Sequence, residues 1–238
     1  MAPRHIELRI SFRDRALNAV LTKPDFRPDC LIVLAHGAGS NMESPFLVAV
    51  SDGLSRRGAA TIRFNFPYAD RGSRVPDRTE ALEACFRRVL DWMHGGLNLD
   101  RLPLIIGGRS MGGRIATHLA AQGERIAGLL LLAYPLHPAG KPTRLRAAHL
   151  ACISVPMLFL SGTRDALCPL DSLRPVLADL PQATLHAVEG ADHAFKVLVR
   201  SGRDRADVMR ELIDTGAVWV RSAVLRRPTR VLRPPIAG

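Results

Sequence analysis

The sequence predicts an α/β fold in which a mostly parallel, twisted sheet carries helices on both of its faces. Apolar runs of strand length, such as CLIVLA, LPLII and PMLFL, recur along the chain, and most alternate with segments of helical spacing. This order is typical of strand–helix–strand units built around a parallel sheet. Several runs are apolar at every position, which is the pattern of strands buried on both faces.

The first elements follow from local patterns. Two weakly alternating segments, HIELRISF and ALNAVLTKP, predict leading strands joined by a turn at RDR. The buried strand CLIVLA ends at glycines, and Pro45 is placed to start a helix over 45–57. ATIRFNFP is the next predicted strand, and an amphipathic helix follows over 78–94.

The alternation continues to the end of the chain. LPLIIGGRS is a predicted strand, and MGGRIATHLAAQG is a helix closed by Gly123. Three more strands (IAGLLLLAYP, VPMLFLSG and ATLHAVEG) and two helices (LDSLRPVLADL and 204–225) complete the pattern. The irregular connection 135–154 has a length typical of functional loops. We interpret 1–225 as one domain and 226–238 as a flexible basic tail.

Composition limits the class of protein. The chain has 238 residues, 47% of them hydrophobic, which suits one domain with a full core. Its apolar runs are far shorter than the roughly 20 residues that span a bilayer, so we expect no membrane segment, and the amino terminus has no pattern of a signal peptide. Four widely spaced cysteines predict free thiols and a cytoplasmic location. No metal-ligand spacing or phosphate-binding loop occurs, so we expect no metal and no cofactor.

The net charge of +11 raises the possibility of a polyanion partner. Only three of the 33 basic residues are lysines, and the arginines are spread along the chain with no long run. A GC-rich genome produces such a bias without any binding role. The sequence therefore argues against a nucleic-acid partner.

Candidate site residues directly follow predicted strands. In an open parallel sheet, ligands bind beyond the carboxyl ends of the strands, so these positions matter most. They are the loop HGAGS from His36 onward, Ser110, Asp165 and His193.

Ser110 lies in GRSMG, at 108–112, which fits the nucleophile-elbow pattern G-x-S-x-G between a strand and a helix. In such an elbow the serine is strained, and the residues two before and two after it must be small. The N–H of Met111 would be one oxyanion donor, and the loop HGAGS would supply a second at Ala38. The plainer alternative is a serine in a glycine-rich turn without chemistry.

His193 follows the last predicted strand, 83 residues after Ser110, and is the candidate general base. Asp165 in SGTRD is the candidate acid that orients the imidazole. Asp192 is a rival, although side chains adjacent in sequence diverge, and Asp171 is a weaker rival that suits a helix cap. The alternatives are a surface histidine for His193 and a helix cap for Asp165.

Other polar residues receive structural interpretations. His36 is expected to support the loop HGAGS rather than to transfer protons. Tyr68, Arg71 and Arg74 follow a strand and would line a pocket for an acidic substrate, but a solvated loop is the preferred interpretation.

Six segments together resemble the α/β-hydrolase superfamily: LAHGAGSNMESP, RFNFPY, GGRSMGGR, YPLHPAGKP, LFLSGTRD and EGADHAF. They are most similar to the dienelactone-hydrolase-like branch that includes the testis-expressed protein 30 and KAT8 regulatory NSL complex subunit 3 type. The resemblance covers 15–220 and implies a Ser110–Asp165–His193 triad, the two oxyanion donors named above and no large cap domain. Dienelactone hydrolases proper use a cysteine nucleophile, so their lactone substrate is not implied for this chain.

The leading hypothesis is a cytoplasmic serine hydrolase that cleaves a small ester or related acyl compound through an acyl-enzyme at Ser110. The second hypothesis is a non-catalytic interaction module with a hydrolase fold, because the branch includes proteins better known as complex subunits. The sequence predicts neither the acyl and leaving groups nor the oligomeric state.

Overall fold

The computed structural model describes residues 2–96, 99 and 101–225, and the predicted tail 226–238 lies outside them. Within the described residues, eight strands form one sheet. They are β1 (Arg4–Phe12), β2 (Arg15–Lys23), β3 (Cys30–Ala35), β4 (Ala59–Phe64), β5 (Leu104–Arg109), β6 (Gly128–Leu132), β7 (Met157–Gly162) and β8 (Ala183–Val188). Their order in the sheet is β1-β2-β4-β3-β5-β6-β7-β8. β2 runs opposite to the other seven strands, so the sheet is mostly parallel and the predicted fold class is confirmed.

The helices connect these strands across both faces of the sheet. They are α1 (Pro45–Ser55), α2 (Pro67–Asp70), α3 (Thr79–Gly96), α4 (Met111–Ala121), α5 (Leu170–Ala178) and α6 (Arg205–Trp219). Short 3-10 helices cover Ala148–Cys152 and Val199–Ser201, and a π-helix covers Val220–Leu225.

Each central strand divides its side chains between two apolar layers. In β3, Leu31 and Val33 pack with the residues of α3, α4 and α5, whereas Ile32 and Leu34 pack with those of α1 and α6. All four side chains are almost completely buried. Two covered faces explain why these strands are apolar at every position rather than at every second one.

The structure refines the predicted elements at three places. PYAD forms the short helix α2, since Pro67 at its first turn has a φ suited to a helix. The connection 135–154 contains a 3-10 helix but no cap domain over the sheet. The predicted helix over 204–225 is α-helical to Trp219 and continues as a π-helix. In addition, no helix among the described residues is long and apolar enough to cross a membrane.

Two glycines in the contact between α1 and α6 are expected to respond oppositely to alanine. A Cβ at Gly53 would lie 2.4 Å from Cδ1 of Ile213, whereas a Cβ at Gly216 would lie 3.5 Å from Cδ2 of Leu54. We expect Gly53→Ala to lower the free energy of unfolding by about 1–3 kcal/mol through overpacking. Gly216→Ala should raise it by about 0.5–1 kcal/mol, because alanine favours helix. Urea unfolding of both variants tests this, and a loss of stability in Gly216→Ala would contradict it.

Candidate active site

The candidate site residues meet at one edge of the sheet. The loop 36–39 leaves β3, Ser110 leaves β5, Asp165 follows β7, and His193 follows β8. These strands are parallel members of the run β3-β5-β6-β7-β8, so their carboxyl ends lie at the same edge. The topology therefore gathers residues that are far apart in the chain.

Ser110 occupies a sharp turn between β5 and α4. Its backbone has φ 49° and ψ −114°, a conformation that non-glycine residues rarely adopt. Two hydrogen bonds hold it there: its N–H donates to the Leu132 carbonyl at 2.8 Å, and its own carbonyl accepts from the N–H of Arg114 at 3.0 Å. Such a strained residue persists only when its surroundings determine its conformation.

Two glycines allow this turn to pack against the neighbouring strand. A Cβ at Gly108 would lie 2.1 Å from the Ala35 carbonyl oxygen, and a Cβ at Gly112 would lie 2.3 Å from the same atom. Both positions must therefore lack a side chain. The sequence indicated that they must be small, and the structure identifies the backbone of β3 as the group that they would meet.

A continuous hydrogen-bond chain joins three of the candidate side chains. His193 Nε2 lies 2.9 Å from Ser110 Oγ, and His193 Nδ1 lies 2.8 and 3.0 Å from the two carboxylate oxygens of Asp165. Because a carboxylate can only accept, Nδ1 carries the proton and Nε2 accepts from the serine hydroxyl. The side chain of Asp165 is fully buried, whereas that of His193 is 26% exposed, so the chain runs from the interior toward solvent.

The rival acids have other contacts. Asp192 Oδ1 accepts from the N–H groups of Ala194 and Lys196, each at 2.8 Å, and so closes the loop around His193. Asp171 lies in the first turn of α5. Asp165 does not cap that helix, although its Oδ1 also accepts from the N–H of Leu167 at 2.8 Å.

Gly162, at the end of β7, was missed by the sequence analysis. A Cβ there would lie 2.2 Å from the Ala191 carbonyl oxygen. The N–H of Arg164 donates to that same oxygen at 2.9 Å. Gly162 therefore lets the His193 loop approach the turn that carries Asp165, and a glycine at the end of an apolar strand was the available signal.

The predicted oxyanion donors border the same space as Ser110. Ala38, Ser110 and Met111 all line one open cavity of about 350 Å³. Met111 is the first residue of α4, where N–H groups have no intrahelical acceptor. A Cβ at Gly37 would lie only 3.5 Å from the Arg109 carbonyl oxygen, which shows how closely this loop approaches the elbow.

His36 is a buried structural support of that loop. Its Nε2 accepts from the N–H of Phe66 at 3.1 Å, and its Nδ1 lies 2.9 Å from the Gly37 carbonyl oxygen, to which it donates. The Tyr68 hydroxyl donates to the same carbonyl at 3.2 Å. Burial lowers the pKa of His36 to about 4, so the ring is neutral at physiological pH. These contacts agree with the expected supporting role.

The three residues proposed for an acidic pocket do not line this cavity. Tyr68 is completely buried beneath the loop 36–39, and Arg71 pairs with Asp77 at 2.5 Å. Neither they nor Arg74 borders the space in front of Ser110. The connection 135–154 supplies that wall instead, through Pro135, His137, Pro138, Ala139 and Arg146. The length of this connection indicated a functional loop, but no pattern in the sequence indicates which of its residues line the cavity, because the path of an irregular segment depends on tertiary contacts.

The comparisons with known proteins identify the family and agree with the fold. The family model described as an alpha/beta hydrolase domain matches residues 28–221. Among solved structures, dienelactone hydrolase from Anabaena variabilis superimposes with a TM-score of 0.74 at 20% identity, over 94% of this chain and 100% of the other.

Two further structures are similar over most of their length. Est1E from Butyrivibrio proteoclasticus has a TM-score of 0.69 at 17% identity, over 90% of this chain and 99% of the other. A protein from Xanthomonas campestris, described as a member of the a/b serine hydrolases without lid, has a TM-score of 0.69 at 19% identity, over 94% and 97%. At these identities the structures show a shared fold.

The neutral state of His36 predicts a pH dependence of stability. The folded chain holds its pKa at about 4, below the ordinary 6.5 expected after unfolding. Between these values the unfolded chain binds a proton that the folded chain does not, so the free energy of unfolding falls as the pH drops from 6.5 to 4. The contribution of His36 to this fall is at most about 3 kcal/mol.

Urea unfolding between pH 7 and pH 4 measures this effect. His36→Gln should show a shallower fall than the wild type, because glutamine does not titrate. Equal slopes in the two proteins would contradict the prediction.

Proposed function

Because the chain belongs to the alpha/beta hydrolase domain family, we propose that it is a serine hydrolase that cleaves a small ester or related acyl compound through an acyl-enzyme. The observation that carries the proposal is the hydrogen-bond chain from Asp165 through His193 to Ser110, which ends at an open cavity. A family fold alone would not be enough, because one fold serves many functions.

In the first half-reaction, Ser110 Oγ attacks the acyl carbon while His193 Nε2 takes the hydroxyl proton. The carbonyl oxygen becomes an oxyanion, and the N–H groups of Ala38 and Met111 donate to it. The tetrahedral intermediate collapses when the carbon–oxygen bond to the alcohol breaks. The departing alcohol takes the proton from Nε2, and the acyl group stays on Oγ.

In the second half-reaction, a water molecule attacks the acyl carbon and gives a proton to His193 Nε2. The bond between the acyl carbon and Oγ then breaks, the proton returns to Oγ, and the carboxylic acid leaves. Asp165 keeps Nδ1 protonated and stabilises the imidazolium in both halves. No cofactor enters either step.

Several features support the finer parts of the proposal. All four cysteines are free thiols, which supports a cytoplasmic location. The segments that resemble the testis-expressed protein 30 type supply Ser110, Asp165 and His193 together, and on that basis we assign the chain to that branch. A small-molecule partner is favoured because the cavity holds about 350 Å³, within the range of ligand pockets.

Ser110→Ala removes the nucleophile and should lower ester hydrolysis by roughly 10³-fold or more. Turnover of short-chain, lactone and thioester substrates measures this, and a fluorophosphonate probe should label Ser110 in the wild type alone. Unchanged hydrolysis in the purified variant would contradict the proposal. An absence of labelling in folded wild type would favour the non-catalytic interaction module.

The acid can be identified by comparing two conservative variants. Asp165→Asn leaves Nδ1 with an amide in place of a carboxylate and should lower kcat by about 10³–10⁴-fold. Asp192→Asn keeps the oxygen that accepts from Ala194 and Lys196, so it should have a far smaller effect. A larger loss in Asp192→Asn than in Asp165→Asn would assign the role to Asp192 instead.

A further inference from the structure

The cavity in front of Ser110 has positively charged walls. Two arginines line it together with Ser110: Arg114 from α4 and Arg146 from the connection 135–154. In the described part of the chain, neither guanidinium forms an ion pair with a carboxylate. An arginine beside a cavity with no such partner is a candidate for binding an anion.

Arg114 is held directly beside the nucleophile. It lies one helical turn after Ser110, and its N–H donates to the Ser110 carbonyl at 3.0 Å. Its Nε is buried and has no hydrogen-bond partner among the described residues. Because this Nε is shielded from solvent, contact with a ligand falls to the remaining guanidinium nitrogens of Arg114, a partly buried residue that lines the cavity.

Arg146 lines the same cavity from the connection 135–154. Its N–H donates to the Leu136 carbonyl at 2.7 Å, and its carbonyl accepts from the Tyr134 hydroxyl at 2.6 Å. These bonds fix the backbone of an otherwise irregular segment. Burial lowers the pKa of Arg146, and the nearby positive charge of Arg114 lowers it further. Two like charges close enough to interact are stabilised by an anion that both can contact.

The other polar groups of the lining do not neutralise these charges. Among the described residues of the lining, the only carboxylate is that of Asp77: its Oδ1 pairs with Arg71 at 2.5 Å, and its Oδ2 is buried without a partner, so it forms no ion pair with either arginine. His137 is only 4% exposed, and its Nδ1 donates to the Pro138 carbonyl at 2.9 Å. Its Nε2 is buried as well and has no partner among the described residues.

We propose that the substrates of Ser110 carry an anionic group, a carboxylate or a phosphate-like group, that Arg114 and Arg146 bind while the acyl carbon lies at Ser110. The inference rests on the proposed hydrolase function and narrows it to acidic acyl compounds. The preference for an acidic substrate is thus attributed to Arg114 and Arg146 rather than to Arg71 and Arg74. These two share the cavity with the nucleophile.

Three esters of equal chain length test the inference. They are the para-nitrophenyl hemiester of adipic acid, which carries a carboxylate, para-nitrophenyl ω-phosphonopentanoate, and the neutral para-nitrophenyl hexanoate. The rate of Ser110→Ala is subtracted in each case to remove spontaneous hydrolysis. For wild type at low ionic strength, kcat/KM should be about tenfold or more higher for an anionic ester than for the neutral one. The ester with the larger ratio identifies the preferred anion.

Variants of the arginines test which side chains cause the preference for anionic esters. Arg114→Gln and Arg146→Gln should each bring the ratio of anionic to neutral kcat/KM toward one, mainly through KM for the anionic ester. Arg146→Lys should keep part of the ratio. Arg144 is exposed, lies two residues before Arg146 and does not line the cavity. The control variant Arg144→Gln should therefore keep the full wild-type ratio. A general folding defect lowers both rates together and leaves the ratio unchanged.

The outcomes separate this inference from the proposed function. Ser110-dependent hydrolysis with no anionic preference, or a preference that survives in both glutamine variants, would overturn the inference and leave the hydrolase proposal intact. If wild type and Ser110→Ala are equally inactive, the hydrolase proposal fails. Isothermal titration calorimetry with adipate then tests whether Arg114 and Arg146 form an anion-binding site. Adipate should then bind wild type and bind Arg146→Gln about tenfold more weakly. No binding to wild type would overturn the site.

Discussion

The approach of the elbow to the carboxyl end of β3 is the contact on which the rest of the site depends. The carbonyl oxygen of Ala35 lies 2.1 and 2.3 Å from where a Cβ would stand at Gly108 and at Gly112, which is too close for either side chain. Because both side chains are absent, the turn that carries Ser110 lies directly against the strand that leads into the loop 36–39. This contact holds Ser110 close to the loop 36–39. The buried pair of His36 and Tyr68 then holds the loop from behind.

Strain at this edge of the sheet is held by backbone hydrogen bonds between successive strand ends. Four non-glycine residues of the described chain have positive φ, and three of them lie at this edge: Ser110, Ala133 and Phe195. Such residues cost of order 1–3 kcal/mol each. The N–H of Ser110 donates to Leu132 at the end of β6, and that of Ala133 donates to Leu160 in β7, both at 2.8 Å. The stability of the whole sheet therefore maintains the geometry of a few turns.

The strands, their parallel arrangement and the candidate site residues could be predicted from sequence because each depends on a local pattern. Apolar runs reveal buried strands, and a residue that directly follows a strand lies at a known edge. The walls of the cavity could not be predicted in this way. Arg146 and His137 come from an irregular connection, whereas Arg71 pairs with Asp77 and does not border the cavity. These facts depend on distances between segments that no periodicity encodes.

The connection 135–154 contributes to the cavity without belonging to the sheet edge that carries Ser110, Asp165 and His193. It is joined to the domain at separate points, such as the hydrogen bond from the Tyr134 hydroxyl to Arg146 and the 2.8 Å contact between Thr117 and His149. Mutations in this one connection can therefore reshape the cavity while the strand ends keep their geometry. Under the proposed hydrolase function, descendants of this protein have a route to new acyl groups that leaves Ser110, Asp165 and His193 in place, so substrate range and chemistry can evolve at different rates.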